Sequence, residues 1–374
     1  MYLINLINNS RFDIKKSKTA TFFSPSKFEN VLSFHKSINM NETPLIHMPA
    51  LANKLGLKNL IIKDESSRYE LNAFKVLGAS YAMNRQVSSN PDIEVFCTAT
   101  DGNHGRAVAR IAKKMNRKAI IFVPRKTVKG RVNLIKDEGA KVVVVDGNYD
   151  FAVKQAASYV EKQNEDYNKR YYCLVQDKSS SGYEKIPIDI MMGYWTQIYE
   201  ITNQIDSFTV DVVILQSGVG SWAASVVDYI INNWKNTPVF ISVEPNSANC
   251  LFESIKKGYN VSVENEKFTS MAGLDCESLS KISWLILKNS LNSCISISDD
   301  LTEKAMKLLY NPITSDPVVV SGESGASSLG ALIGLIESPK YKTFINKYIA
   351  DSTVLLINTE GATDIVSYKR IVNT

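Results

Sequence analysis

Three short strings in this chain of 374 residues carry side chains suited to handling a carbonyl, a proton and an anion. The first is LNAFKVLGA, in which Lys75 follows Phe74 and opens a helical run. A lysine in the first turn of a helix, beside an aromatic ring, is placed to hold an aldehyde through its amine. Asn72, three residues earlier, has a side chain that can cap that helix. Most lysines are solvated helix residues, so Lys75 alone decides nothing. The second string is TDGNHG, residues 100–105. Asn103 can donate to an oxygen, the free N–H groups of a helix start favour an anion, and Asp101 is a carboxylate able to move a proton or to serve as an ordinary turn residue. His104 has no Ser, Cys or metal partner in its string and reads as a local hydrogen-bonding group. The third is SGVGS, residues 217–221, whose glycines let backbone approach a phosphate at a helix N-terminus, or simply make a tight turn. The longer GVGSWA also fits the dinucleotide pattern GxGxxA, with Glu244 as ribose ligand. A nicotinamide-dependent oxidoreductase is therefore a rival reading, although it accounts for neither Lys75 nor TDGNHG.

These strings need elements to position them. From residue 60 onward, β-rich runs alternate with helical stretches: LIIKDE (60–65), EVFCTAT (94–100), AIIFVP (119–124), KVVVV (141–145), YYCLVQD (171–177), VVILQS (212–217), VFISVEP (239–245), VVVSGE (318–323) and TVLLINTEG (353–361). Continuous apolar runs of this length are expected of parallel strands covered on both faces. Helix-length segments such as GRAVARIAKKM (105–115), with apolar spacings of three and four, lie between them. The rhythm implies right-handed βαβ units and open parallel sheets with helices on both faces. Such sheets bind ligands at the carboxyl ends of their strands. The unusual strings TDGNHG, QDKSSSGY, SGVGS, GESGA and NTEGATD all follow expected strands, so one cleft lined by all five is the expectation.

Length favours two domains. No compositional linker marks a boundary. With 43 Lys plus Arg against 38 Asp plus Glu, the formal charge is +5, spread along the chain without a basic block. Nucleic acid is not an expected partner. Five cysteines without CxxC spacing suggest neither a disulfide framework nor a zinc site, and no metal is expected. The opening MYLINLINNSRFDIKKSK is broken early by Asn, Arg and Asp, unlike a signal peptide. No apolar run approaches the ~20 residues of a membrane span. A cytoplasmic enzyme with no membrane partner is the expectation.

Taken together, KDESSRYELNAFK (63–75), TDGNHGRAVA (100–109), VQDKSSSGYEKIPIDIMMGY (175–194), SMAGL (270–274), SGESGASSLG (321–330) and NTEGATD (358–364) resemble the fold-type II family of pyridoxal-phosphate enzymes. Six strings in the family's order, across nearly the whole chain, make a specific likeness. Within that family the chain looks most like the diaminopropionate ammonia-lyases. The resemblance implies two open, mostly parallel twisted sheets with helices on both faces, as in tryptophan synthase β. It further implies a large cofactor-binding domain of residues 1–75 plus 190–374, a small domain of residues 76–189, and a homodimer. The implied cofactor is pyridoxal 5'-phosphate, held on Lys75 beside Phe74. Asn103 corresponds to the partner of its phenolic oxygen, and Gly218, Val219 and Gly220 to the phosphate loop. Glu323 falls in a further cofactor-binding string. Thr359 stands where the family sets a hydroxyl against the pyridine nitrogen, which leaves that nitrogen unprotonated and suits β-elimination better than transamination.

Asp101 replaces the serine usual in the dehydratases and is similar to an acid–base aspartate of the lyases, and Asp177 matches a second acidic residue there. The implied reaction is β-elimination of ammonia from a small amino acid such as 2,3-diaminopropionate, giving pyruvate, with Lys75 and Asp101 as alternative bases for the two enantiomers. Asn72, Gly102 and Asp275 are the substrate-facing candidates. The chain also departs from the family. After SMAGL it reads DCESLSK, with Asp275 added and the usual prolines gone, and Ser replaces the customary Trp within SSS (179–181). Those changes leave a β-replacement or eliminating enzyme of serine, threonine or an activated serine as an alternative. A non-catalytic paralogue is a further one, disfavoured because Lys75 and both acidic residues are kept.

Overall fold

The computed structural model describes residues 3–19, 25–167, 169–205, 209–264 and 268–374, with side chains at all of these but 18–19 and 25–27. In chain order the strands are β1 (Ile4–Asn8), β2 (Leu45–His47), β3 (Asn59–Asp64), β4 (Val95–Ala99), β5 (Lys118–Pro124), β6 (Lys141–Val145), β7 (Tyr172–Leu174), β8 (Val212–Gln216), β9 (Val239–Pro245), β10 (Ser293–Ile297) and β11 (Thr353–Asn358). They form two sheets in two compact units. The larger unit comprises Met1–Phe22, Glu42–Ser67 and Gln197–Thr374, and the smaller Phe23–Asn41 and Arg68–Thr196.

In the larger unit the strand order is β1-β10-β9-β8-β11-β3-β2. The inner five strands are parallel, and β1 and β2 close the two edges antiparallel. Every residue of β8, VVILQ, is buried, as expected of a strand covered on both faces. Ile62, Ile214, Val243 and Leu356 share one apolar core with Leu329, Leu332 and Ile333 of the helix Glu323–Glu337. In the smaller unit the order is β6-β5-β4-β7, all parallel. There Cys97, Ala99, Ile120 and Phe122 pack with Ala152, Ala156 and Val160 of the helix Tyr149–Tyr167. The expected fold class, α/β with two mostly parallel sheets flanked by helices, is what the chain adopts.

Single elements depart from expectation. Residues 318–322 form no strand. Their backbone groups are taken elsewhere: Asn358 Nδ2 donates to Val320 O, Val319 N to Leu309 O, and Gly322 N to Glu360 O. Val318 and Val320 are left exposed, which a strand inside a covered sheet would not allow. Conversely, SCISI at β10 is a fully buried strand whose serines disguised it.

One crossing in the smaller unit positions the helix that begins with Lys75. The helices Lys75–Ser89 and Lys185–Gln204 meet at Gly78 and Gly193. A Cβ on Gly193 would lie 2.4 Å from Leu77 O and 2.7 Å from Gly78 Cα. Backbone touches backbone there, and any larger side chain would push apart the helix that begins with Lys75.

Candidate active site

The approach to Lys75 is a strained turn. Tyr69, Glu70 and Asn72 all have positive φ, 50°, 60° and 60°, a region costing non-glycine residues of order 1–2 kcal/mol each. The turn is held because the buried Arg68 donates to Asn41 O at 2.6 Å, Tyr69 OH to Ile38 O at 3.1 Å, and Leu71 N to Arg68 O. Strain of this kind persists where surrounding structure over-determines it, and functional sites are where it gathers. The cap expected from Asn72 is not made: the helix starts at Lys75, the N-cap position is Phe74, and no side chain caps it. The left-handed φ of Asn72 belongs instead to the turn that precedes the helix.

Lys75 Nζ lies 2.5 Å from Asp177 Oδ2. The lysine side chain keeps 22% of its exposure and the carboxylate 4%, so the charge that needs a partner is the acid. Burial opposes ionisation of Asp177, yet the Lys75 ammonium overrides it and holds the carboxyl well below its usual range. On its far side, Tyr149 OH is 3.4 Å from Asp177 Oδ1. Gln176 organises this end. Its Oε1 accepts from Thr98 Oγ1 and Ala99 N, so its Nε2 faces Tyr149 OH at 2.7 Å. Phe74 packs edge-on against Tyr194 and sets its ring 5.3 Å from Lys75 Nζ.

The TDGNHG string joins β4 to the helix Asn103–Lys114. Thr100 Oγ1 accepts from Gly102 N, and Gly102 takes a φ of 157° with Arg131 packed against its Cα. Asp101 accepts from Thr127 Oγ1 at 3.4 Å, and Asn103 is the first residue of the helix. His104 is buried and faces Val175 O at 2.8 Å. A carbonyl only accepts, so Nε2 carries the proton and the ring ties helix to strand. Burial is the main cause that pushes its pKa down, so it stays neutral, a local hydrogen-bonding group.

In the larger unit, SGVGS turns from β8 into the helix Ser221–Asn233, with Gly220 left-handed at φ 83° as its N-cap. A Cβ on Gly218 would stand 2.9 Å from Gly273 O and 3.1 Å from Cys276 Sγ. The first helical turn holds no acidic residue, and the buried Ser217 Oγ has no hydrogen-bond partner among the described residues. Free N–H groups and an unspent hydroxyl in a glycine-lined turn fit a phosphate. Thr359 is buried just beyond β11, where Gln216 Nε2 donates to its Oγ1 at 2.8 Å. Glu323 is buried as the first residue of its helix, beside Ser324, whose N–H donates to Glu360.

Asp275 is buried directly after the turn Ala272–Leu274. That turn is pinned without prolines: Asp299 accepts from Thr269 Oγ1 and Ser270 N, both at 2.7 Å, and Gly273 N donates to Ser324 Oγ. Glu244 is spent. Both its oxygens cap the helix Cys250–Lys257, accepting from Leu251 N and Phe252 N at 2.8 and 2.7 Å, so the dinucleotide reading loses its ribose ligand. Burial pushes the Glu244 carboxyl up to about 8. Of the residues that sequence reasoning passed over, Gln176 lies inside a recognised string, Gln216 adjoins one and Tyr149 lies far from any, and no spacing rule marks them.

Comparison with known proteins decides the family. Residues 37–359 match the pyridoxal-phosphate dependent enzymes. The chain is 34% identical over 392 residues to the diaminopropionate ammonia-lyase of Escherichia coli K12, covering 99% of this chain and 96% of that protein. It is 38% identical to the Salmonella typhimurium protein of that name, covering 91% of each. The crystal structure of the Escherichia coli lyase in complex with D-serine superposes with a TM-score of 0.91 at 34% identity, over 99% of this chain and 97% of that one. The chain belongs to the fold-type II pyridoxal-phosphate-dependent enzymes. As a member of that family it is an enzyme of the lyase and deaminase type, performing pyridoxal-phosphate-dependent elimination or replacement chemistry on small amino acids. Maize serine racemase, at 21% identity and a TM-score of 0.72, shares the fold.

For this pyridoxal-phosphate enzyme, the Lys75–Asp177 pair gives a direct test in cofactor-stripped protein. Asp177→Asn leaves the Lys75 ammonium without its counter-charge and should destabilise by about 3 kcal/mol, the low end for a buried pair because Lys75 keeps some solvent. The folded carboxyl titrates below the ordinary 3.8, so its contribution is complete well above that pH and is lost as pH falls through and below it. Urea denaturation should show the gap between wild type and variant constant at neutral pH and narrowing in acid. A gap that does not change with pH would mean the pair carries no charge.

Proposed function

We propose that this enzyme eliminates the β-amine of 2,3-diaminopropionate, yielding pyruvate and ammonia. The reading rests above all on the 2.5 Å pairing of Lys75 with Asp177, in a chain similar end to end to diaminopropionate ammonia-lyases. Bound pyridoxal phosphate supplies an electron sink for the carbon that loses its proton. Lys75 binds the cofactor through Nζ, and with its amine free it takes the α-proton of the L enantiomer. Asp177 orients that amine and keeps its charge local. Asp101 takes the α-proton of the D enantiomer. The electron pair of the broken C–H bond becomes the Cα–Cβ double bond as the Cβ–N bond breaks. The β-nitrogen leaves as ammonia, and the released 2-aminoprop-2-enoate takes up water to give pyruvate and a second ammonia.

The remaining residues bind and orient. The Gly218–Gly220 loop holds the phosphate on backbone N–H groups. Asn103 donates to the phenolic oxygen, Thr359 faces the ring nitrogen, Phe74 packs beside the lysine, and Glu323 supports the cofactor side of the site. Asn72 and Gly102 face the substrate carboxylate. Asp275 pairs with the β-ammonium. A second reading, an eliminase or replacement enzyme acting on serine or an activated serine, is favoured by one observation: Asp275 is a buried carboxylate in a loop that departs from the family's pattern.

Two measurements test this. Asp101→Asn keeps shape but cannot accept a proton. It should leave cofactor binding intact and slow turnover of D-2,3-diaminopropionate far more than of the L form, by about 10²–10⁴-fold. Equal losses on both enantiomers would refute two bases. Asp275→Ala should lower the ratio of kcat/KM for diaminopropionate to that for serine by one to two powers of ten, since a charge-assisted contact contributes about 1.5–3 kcal/mol. A ratio unchanged within about threefold, on a scale where 1.4 kcal/mol is tenfold, would place Asp275 outside the site.

A further inference from the structure

Gln216 is the last residue of β8, two positions beyond the point where β8 stops pairing with β11 at Ile214↔Leu356. Its side chain reaches across to the next part of β11. Nε2 lies 2.8 Å from Ile357 O and 2.8 Å from Thr359 Oγ1, and the residue is buried. Which end of an amide is nitrogen is normally assigned from its partners, and here one partner settles it. Ile357 O can only accept, so the atom facing it must be the NH₂. The opposite orientation would set two acceptors 2.8 Å apart with no proton between them.

Both amide protons are then spent, one on Ile357 O and one on Thr359 Oγ1. The Thr359 oxygen accepts from Gln216, and its single proton points elsewhere. No described residue takes that proton. The Gln216 Oε1 is buried with no hydrogen-bond partner among the described residues, so the amide is fixed by what its nitrogen does. A buried hydroxyl whose oxygen is already donated to is completed by an acceptor, because a buried proton left without one forfeits its hydrogen bond to water.

We propose that Gln216 is a positioning residue that fixes the polarity of Thr359, making its hydroxyl a donor toward the cofactor's ring nitrogen and so keeping that nitrogen unprotonated. This rests on the reading above that Thr359 faces the ring nitrogen. In this role Gln216 needs no contact of its own with ring or substrate. It acts through the direction of one proton, and it thereby sets how strongly the ring withdraws electrons.

The test uses holoenzyme reconstituted with pyridoxal phosphate isotopically labelled at the ring nitrogen, whose protonation is read by NMR across a pH titration. In wild type the nitrogen should be unprotonated through the neutral range. In Gln216→Glu, a protonated carboxyl oxygen donates to Ile357 O and accepts from Thr359, which reverses the hydroxyl. The ring nitrogen should then take up a proton, with its midpoint raised by at least about one pH unit, a tenfold change in the equilibrium. Gln216→Met, which frees the hydroxyl to rotate, should raise the midpoint in the same direction and serves if the first variant does not fold. Midpoints unchanged in the folded variants would overturn the role of Gln216, and a protonated nitrogen in wild type would overturn the donor polarity. Thr359→Val separates the underlying reading: a midpoint unmoved by that change would show that Thr359 does not face the ring nitrogen.

Discussion

A carboxylate with 4% of its exposure left is expensive to keep ionised, and Asp177 is kept so by the ammonium 2.5 Å away. Removing a carboxylate from water costs several kcal/mol, which only close opposite charge and good hydrogen bonds offset. Lys75 provides the charge, and Tyr149, oriented by Gln176, stands on the other oxygen. Much of the smaller unit can be traced back to that requirement. The positive-φ turn at 69–72 delivers Lys75 as the first residue of its helix, and the Gly78–Gly193 crossing prevents that helix from drifting. The QD pair at the end of β7 brings Asp177 to meet it.

The larger unit solves a different problem, the presentation of donors. The turn after β8 keeps its donors unspent by acids: no carboxylate sits in the first helical turn after SGVGS, and Glu244 is committed to a different helix start. Asp299, Ser324 and Glu360 hold the neighbouring loops by side chain to backbone bonds, so the turns are shaped without the prolines that the resemblance led one to expect. Rigid turns that carry donors suit an anion, whereas a buried acid–amine pair suits proton transfer. The larger unit holds such donors and the smaller unit holds the pair.

Much of this was legible in the residues. Continuous apolar runs marked β3 to β9 and β11, and the fully buried β4 and β8 show the reason: a strand covered on both faces has no polar side to interrupt it. The same rule missed β10, whose serines are buried, and invented a strand at 318–322, where apolar residues lie in an extended loop held by Asn358. Asn72 has the composition of a cap but the backbone of a turn. Asp177 is 102 residues from Lys75, and no periodicity links them; family resemblance singled it out, and only the fold shows the contact. Gln216 was invisible for a simpler reason. A glutamine at a strand end carries no chemical signature until its two acceptors are seen.

Whether Lys75 holds the cofactor can be read from the holoenzyme by borohydride reduction. Reduction makes the lysine linkage permanent, and peptide mapping locates it. Reduction should remove the visible absorbance band and leave a pyridoxyl group on the peptide containing Lys75, with neither band nor label in Lys75→Ala. A label on any other lysine would contradict a linkage at Lys75.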